Sequence, residues 1–213
     1  MRRIFMLTRL LERLYDWLSP SDSVGSGDLI FALAGRQSRK LYALELFRQG
    51  MGNSLLLSVD RFEIRRFAQL SWPAEIDLVR VAAPTPAPMR HYFVSGEAGR
   101  SEVELISRGR FGTLSEICAL AAWLRRRPQI RSLAIVSSGP HLRRVRACCR
   151  ALLPEGVQLR FLSTPNDGGL TRSEWWRDPH SRRLVVKEVG KLFVYRLRLM
   201  AARRESQTEM RHG

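Results

Sequence analysis

What most constrains this chain is an alternation of short apolar runs with amphipathic ones, which begins at residue 28. "DLIFALAG", bounded by Gly27 and Gly35, has the length and content of a buried strand. "RQSRKLYALELFRQG" then carries Leu41, Leu44 and Phe47 at helical spacing, and Gly50 falls where a helix end favours a residue free of Cβ. "NSLLLSV" reads as a second strand, and "DRFEIRRFAQL" as a second helix with Asp60 as its N-cap. Strands joined through helices run parallel, because the return path is used up by the crossover.

The middle of the chain has a weaker rhythm. "EIDLVRVA", "RHYFVS" and "SEVELIS" read as strands, with the proline-rich "APTPAP" as a turn or surface crossing. The pattern then sharpens. "TLSEICALAAWLRRR" places Leu114, Ile117, Leu120 and Leu124 on one helical face, and "SLAIVSS" is a buried strand. "HLRRVRACCRALL" is a helix with Leu142, Val145, Cys149 and Leu152 inward; "VQLRFLS" is a strand, and "SRRLVVKEVGKLFVYRLRLMAARR" a long closing helix. No internal repeat is present. The pattern predicts a Rossmann-like α/β fold over residues 21–204, with a mostly parallel sheet and helices on both faces, and 205–213 as a polar tail.

Residues 1–20 form an amphipathic helix ahead of that domain. Ile4, Leu7, Leu11, Leu14 and Leu18 share one face, with Arg2, Arg9, Glu12, Arg13 and Asp16 opposite. The charges exclude a signal peptide and a bilayer span. Two roles stay open: docking on the protein's own core, or peripheral contact with an anionic membrane surface. The acidic residues argue against the second. Cys118, Cys148 and Cys149 all fall in helices, form no disulfide framework and lack metal-ligand spacing, so a reducing, cytoplasmic compartment is expected.

The charge balance stands out in an otherwise ordinary composition. Of 36 basic residues only Lys40, Lys187 and Lys191 are lysines, and with 20 acidic residues the net charge is +16. Arginine grips phosphate or carboxylate bidentately, so an anionic partner fits. A solvated basic surface fits too. Nucleic acid is disfavoured, since aromatics do not interleave with the arginines and no recognition motif appears.

In open parallel sheets, ligands gather beyond the carboxyl ends of the strands, where helix N-termini face outward. Three turns supply polar residues at that level. The first is Gly35 with Arg39 one helical turn on; its single glycine makes neither a dinucleotide fingerprint nor a P-loop. The second is Thr113 with Glu116, a spacing that alone reads as a capping box. The third is "SSGPHLRR", presenting Ser137, His141 and Arg144; His141 by itself fits a helix cap or a surface residue equally well. If the strands are adjacent, the turns bring Arg39, His141 and Arg144 around one crevice and make an anion site. Which cofactor, if any, the site takes is left open by the sequence.

These segments, in this order, resemble the YdcF-like bacterial domain family of unknown function. "DLIFALAGRQSRKLYALELFRQG" is similar to its opening strand, turn and helix, carrying Gly35, Arg39 and Glu45. "GTLSEICALAAWL" resembles its Thr-x-x-Glu helix start at Thr113 and Glu116, and "IVSSGPHLRRVRAC" its Ser-x-x-x-His-x-x-Arg at Ser137, His141 and Arg144. "EWWRDPHSRRLVVKEVGKLFVY" resembles its closing Trp-Trp and Glu-x-x-Lys helix at Trp175, Trp176, Glu188 and Lys191. The resemblance spans roughly residues 28 to 196. It implies a polar cleft and a loose link to cell-envelope or surface-polysaccharide metabolism. The chain departs from the family where Ser58-Val59-Asp60 replaces a Ser-Gly-Gly, with Glu63 near the acidic position and Val59 crowding the backbone.

Two functions follow as expectations. In the first, the protein binds or processes a phosphate-bearing envelope precursor. His141 is then a general acid or base tuned near neutrality by Arg144 and Glu116, and Arg39, with Arg144, holds the anion. In the second it is a non-catalytic binder of a nucleotide-like ligand such as S-adenosylmethionine, with Ser58 and Asp60 contributing at the second strand.

Overall fold

The structure, a computed structural model, describes residues 2–72, 75–97, 99–107, 109, 111–165 and 170–212, with side chains within 6–202. The Ile4 and Arg2 assignments therefore lie outside the described side chains. Among the described residues six strands form one sheet: β1 (Gly27–Ala32), β2 (Gly52–Asp60), β3 (His91–Glu97), β4 (Arg100–Leu105), β5 (Ser132–Ser137) and β6 (Gln158–Ser163), in the order β4-β3-β2-β1-β5-β6. β1 pairs parallel with β2 and β5, and β5 with β6; β3 runs antiparallel to both β2 and β4. The protein is an α/β protein with a mostly parallel sheet.

Side chains two apart on a strand face the same way, and each face of β1 feeds its own core. Leu29, Phe31 and Leu33 enter one core, into which α5 (Gly112–Arg125) and α6 (Leu142–Leu152) bury Ile117, Leu120, Val145 and Cys149. Ile30 and Ala32 enter the other, with Ala43, Leu44 and Leu46 of α2 (Gln37–Arg48). Fully burying one such aliphatic side chain contributes about 1.5–3 kcal/mol. The helix after β1 thus lies on one face and the helix after β5 on the other. The chain leaves these neighbouring strands in opposite directions and opens a crevice at their carboxyl ends.

α2 stops as expected at Gly50, whose φ is +72°. Gly50 N donates to Phe47 O and Met51 N to Leu46 O, both at 3.0 Å, a Schellman closure that uses up the last carbonyls. Its inward face differs from the expected one. Leu41 is exposed, while Arg39, Lys40, Ala43, Leu44 and Leu46 are buried. The polar residues face in because they have partners there.

Two expected elements change. "EIDLVRVA" is not a strand: α4 (Leu78–Ala82) is a short helix, capped where Asp77 Oδ1 accepts from Arg80 N at 3.0 Å. Leu78 and Ala82 are buried and Val79 and Val81 exposed, which is helical and not alternating burial. The second helix shrinks to α3 (Ile64–Phe67), so Asp60 does not cap a long helix. Its Oδ1 accepts from Phe62 N at 3.0 Å and its carbonyl from Glu63 N at 2.8 Å, closing a turn at the strand end.

The terminal helices pack together. In α1 (Arg2–Leu18), Leu11, Leu14 and Leu18 dock against Trp175, Val185 and Leu192, the last two from α7 (Pro179–His212). Trp175 Nε1 donates to Leu11 O at 3.3 Å. Arg172 ties Glu12 at 3.0 Å and Asp16 at 2.6 Å, and holds the Asp16 carboxyl below its ordinary value. The acidic residues of α1 thus serve its docking. Leu7, expected on the docked face, is exposed. α7 stays helical past Glu205, where a tail was expected, and starts with Asp178 Oδ2 accepting from Ser181 N at 2.7 Å. No described helix is long and apolar enough to cross a membrane.

Candidate functional site

All three turns meet where β1 and β5 end, and a side-chain hydrogen bond links each pair of them. Between the first and second, Glu116 Oε1 accepts from Ala34 N at 2.7 Å. Between the second and third, Thr113 Oγ1 lies 3.2 Å from His141 Nε2. Between the first and third, Arg39 donates through Nε and Nη2 to Ser138 Oγ at 3.1 and 2.9 Å. Arg39 Nη1 also donates to Ala34 O at 2.5 Å, across Gly35, whose φ is +120°. A Cβ on Gly35 would lie 3.1 Å from Arg39 Nη1, so glycine fits both the backbone and the guanidinium there.

The capping box is not formed. The N-cap of α5 is Phe111, without a side-chain bond, so Thr113 sits inside the helix and turns its hydroxyl to His141 and Arg144. Glu116 reaches across to the first turn instead of back to its own helix start. Both residues join the three turns.

His141 sits at the centre and is buried. Its Nδ1 lies 2.8 Å from Ser137 Oγ. Arg144 Nη1 donates to Thr113 Oγ1, so the hydroxyls of Thr113 and Ser137 partner the two ring nitrogens of His141. Burial, then Arg144, Arg39 and Lys191, hold its pKa well below 6.5. Tuning near neutrality by Arg144 and Glu116 is therefore not what the site provides: Arg144 repels a second charge, and Glu116 is committed to Ala34 N. With both nitrogens on protein hydroxyls, neutral His141 positions Thr113 and Ser137.

The crevice has a volume of about 190 Å³ and is lined by Arg36, Arg39, His141, Arg144, Glu188 and Lys191, among others. Among the described lining residues, four basic side chains stand beside one carboxylate. Glu188, from α7, accepts from Arg144 Nε at 3.0 Å and Nη2 at 3.2 Å and from Lys191 Nζ at 3.0 Å. Tyr195 supports the guanidinium of Arg144 from below, 4.8 Å from ring centre to Cζ. The N-terminus of α2 opens here without a side-chain cap, adding N–H groups and the positive end of its dipole.

α1 closes the third turn from outside. A Cβ on Gly139 would lie 2.9 Å from Ser19 Oγ and 3.3 Å from both Tyr15 Oη and Ser163 Oγ. Only glycine lets α1 approach the turn this closely.

Ser58 and Asp60 do not reach the crevice. Ser58 Oγ bonds His91 Nε2 at 2.8 Å beneath the surface, and Asp60 N donates to Glu63 Oε2 at 3.0 Å. Val59 is buried in the α2-side core, so it crowds no ligand. Glu63 also pairs with Lys40, a buried ion pair whose lysine is depressed by burial and sustained by the carboxylate. Arg36 and Ser138, which the turns Ala34-Gly35-Arg36 and Ser137-Ser138-Gly139 contain, do line or bond within the crevice, whereas the sequence reading missed the Lys40–Glu63 pair. A signal existed: lysine is rare here, and Lys40 and Lys191 each hold a buried or half-buried carboxylate.

A larger groove of about 580 Å³ lies beside α5, lined by Ile106, Phe111, Leu114 and Ala122 among others. Among its described lining residues Glu104 is the one charged side chain, and the rest are mostly apolar. No group of His, Cys, Asp and Glu among the described residues has the arrangement of a metal site. Comparison with protein-family models, curated proteins and solved structures gave no match to this chain.

Proposed function

We propose that this is a Rossmann-like, YdcF-like domain that binds a phosphate-bearing or other anionic small molecule where β1 and β5 diverge. The observation that carries the reading is the described lining, in which Arg36, Arg39, Arg144 and Lys191 outnumber the carboxylate of Glu188, beside the start of α2, which has no side-chain cap. A cavity of about 190 Å³ is smaller than the roughly 300 Å³ at which drug-sized ligand pockets begin. It suits a phosphoryl group with the rest of the molecule outside. In this reading the ligand is a phosphorylated precursor of envelope or surface polysaccharide, met on the cytoplasmic side. Arg39 and Arg144 hold the anion, Gly35 and Ser137 shape the turns, and Glu116, Thr113 and His141 keep the turns in register.

S-adenosylmethionine is the weaker candidate, because its sulfonium would enter a field set by four cations. Calorimetry and thermal shift with phosphate, pyrophosphate, a sugar phosphate and S-adenosylmethionine separate the two. Expected is saturable binding of the phosphates, weakened at least tenfold in Arg39→Met. Stabilisation by S-adenosylmethionine with none by any phosphate would reverse the assignment.

A further inference from the structure

α7 has two apolar faces, and the fold uses one. Ser181, Val185, Leu192 and Tyr195 are buried against the rest of the protein. Val186, Val189, Phe193, Leu197 and Met200 recur at three, four and seven residues on another side of the helix, and all are exposed. Phe193 is 65% exposed and Val186 62%, values that a lone surface apolar residue can show but a continuous row cannot be dismissed by. From Val186 to Met200 the row is about 21 Å long at the α-helical rise.

Charge decides what covers it. Arg182, Arg183, Lys187, Arg196 and Arg198 surround the row and are exposed. Among the described side chains of α7 the one acidic residue is Glu188, which is engaged in the crevice by Arg144 and Lys191. Arg143, Arg146 and Arg150 of α6 add to the same field, close enough for Arg143 to be repelled by Arg196, Arg146 and Arg150. A second copy laid along this face would set cation against cation. An apolar row bordered by arginine and lysine suits an anionic lipid surface, where the row enters the acyl boundary and the cations meet headgroups.

We infer that the outward face of α7 docks this protein on an anionic membrane surface. The first turns of α1 add exposed Met6, Leu7 and Leu10 beside Arg13. The helix lies in the interface and does not span it. The inference stands apart from the crevice reading, because none of the row residues lines that cavity.

The test is sedimentation of the full chain with phosphatidylcholine vesicles, with and without phosphatidylglycerol, at low and high salt. Binding is expected only to the phosphatidylglycerol vesicles, weaker at high salt, and reduced about tenfold or more in Phe193→Glu/Leu197→Glu. Both positions are exposed, so the variant keeps its fold, as its melting temperature will report. In Phe193→Trp, the difference emission against wild type is expected to shift to the blue on those vesicles. Unchanged vesicle binding in the double glutamate variant overturns the inference, as does a tryptophan that stays in water. A vesicle-free dimer that the same variant dissociates would also overturn it, in favour of a second copy.

Discussion

At the residue scale the crevice turns on His141 and Glu188. His141 is neutral when folded because burial and three nearby cations oppose its charge. In the unfolded chain it takes a proton near pH 6.5, so only the unfolded state gains protons as pH falls through that value. Its contribution to stability is therefore intact above about pH 6.5 and declines steadily toward about pH 5. Urea midpoints across that window should slope downward in the wild type and less so in His141→Gln; equal slopes would refute the assignment. The same variant should be less stable by about 1–3 kcal/mol at pH 8, because Thr113 and Ser137 lose a buried partner. Glu188 bears on the proposed anion binding. Its carboxylate engages Arg144 and Lys191, the groups assigned to the anion in that proposal. Glu188→Gln should tighten phosphate binding several-fold to about tenfold by calorimetry, and unchanged or weaker binding would show that Glu188 only orders Arg144.

At the element scale, buried polar pairs decide how the helices sit. Lys40 on α2 meets Glu63 just before α3, and both are buried. Removing one member leaves the other charge without compensation, at a cost of about 3–5 kcal/mol. Glu63→Ala should lower the unfolding free energy by about that much, while Lys40→Met in the same chain should recover a measurable part. Strict additivity of the two changes would argue against coupling. The approach of α1 to the third turn depends on Gly139 in a different way. Gly139→Ala brings a methyl group to 2.9 Å from Ser19 Oγ and should cost about 1–3 kcal/mol, as overpacking does. Faster proteolysis within α1 would report the displacement directly.

At the scale of the whole molecule, the sheet separates two cores and buries most thiol chemistry. Cys148 and Cys149 are fully buried, and burial pushes the Cys148 thiol up to about 12 and raises Cys149 well above its ordinary value. Cys118 alone of the three is exposed. A thiol reagent should therefore count one cysteine in the native protein and three after denaturation; a second fast thiol would mean α6 opens readily. What was legible in the chain follows from period and punctuation. β1, β2, β5 and β6, the Gly50 stop, and the inward faces of α5 and α6 are local patterns, because alternate or helical burial leaves its mark in consecutive residues. "EIDLVRVA" failed since valine-rich content fits a strand, yet Asp77 offers a cap that starts a helix. Thr113 and Glu116 fit a capping box by spacing, but tertiary partners, Ala34 N, His141 and Arg144, outbid the local bonds. The turn residues Gly35, Arg39, Thr113, Glu116, Ser137, His141 and Arg144 all lie in the linked turns, whereas Ser58 and Asp60 stay apart with partners of their own. The sequence by itself determined that this chain is α/β, strongly basic, and polar at three strand-to-helix turns. Only the tertiary structure decided that the turns meet, that Glu188 from the last helix enters their crevice, and that one apolar row of α7, among its described side chains, remains exposed. The physical reason is that burial period is written in neighbouring residues, while the order of strands and the partners of buried charges are fixed by residues distant in the chain.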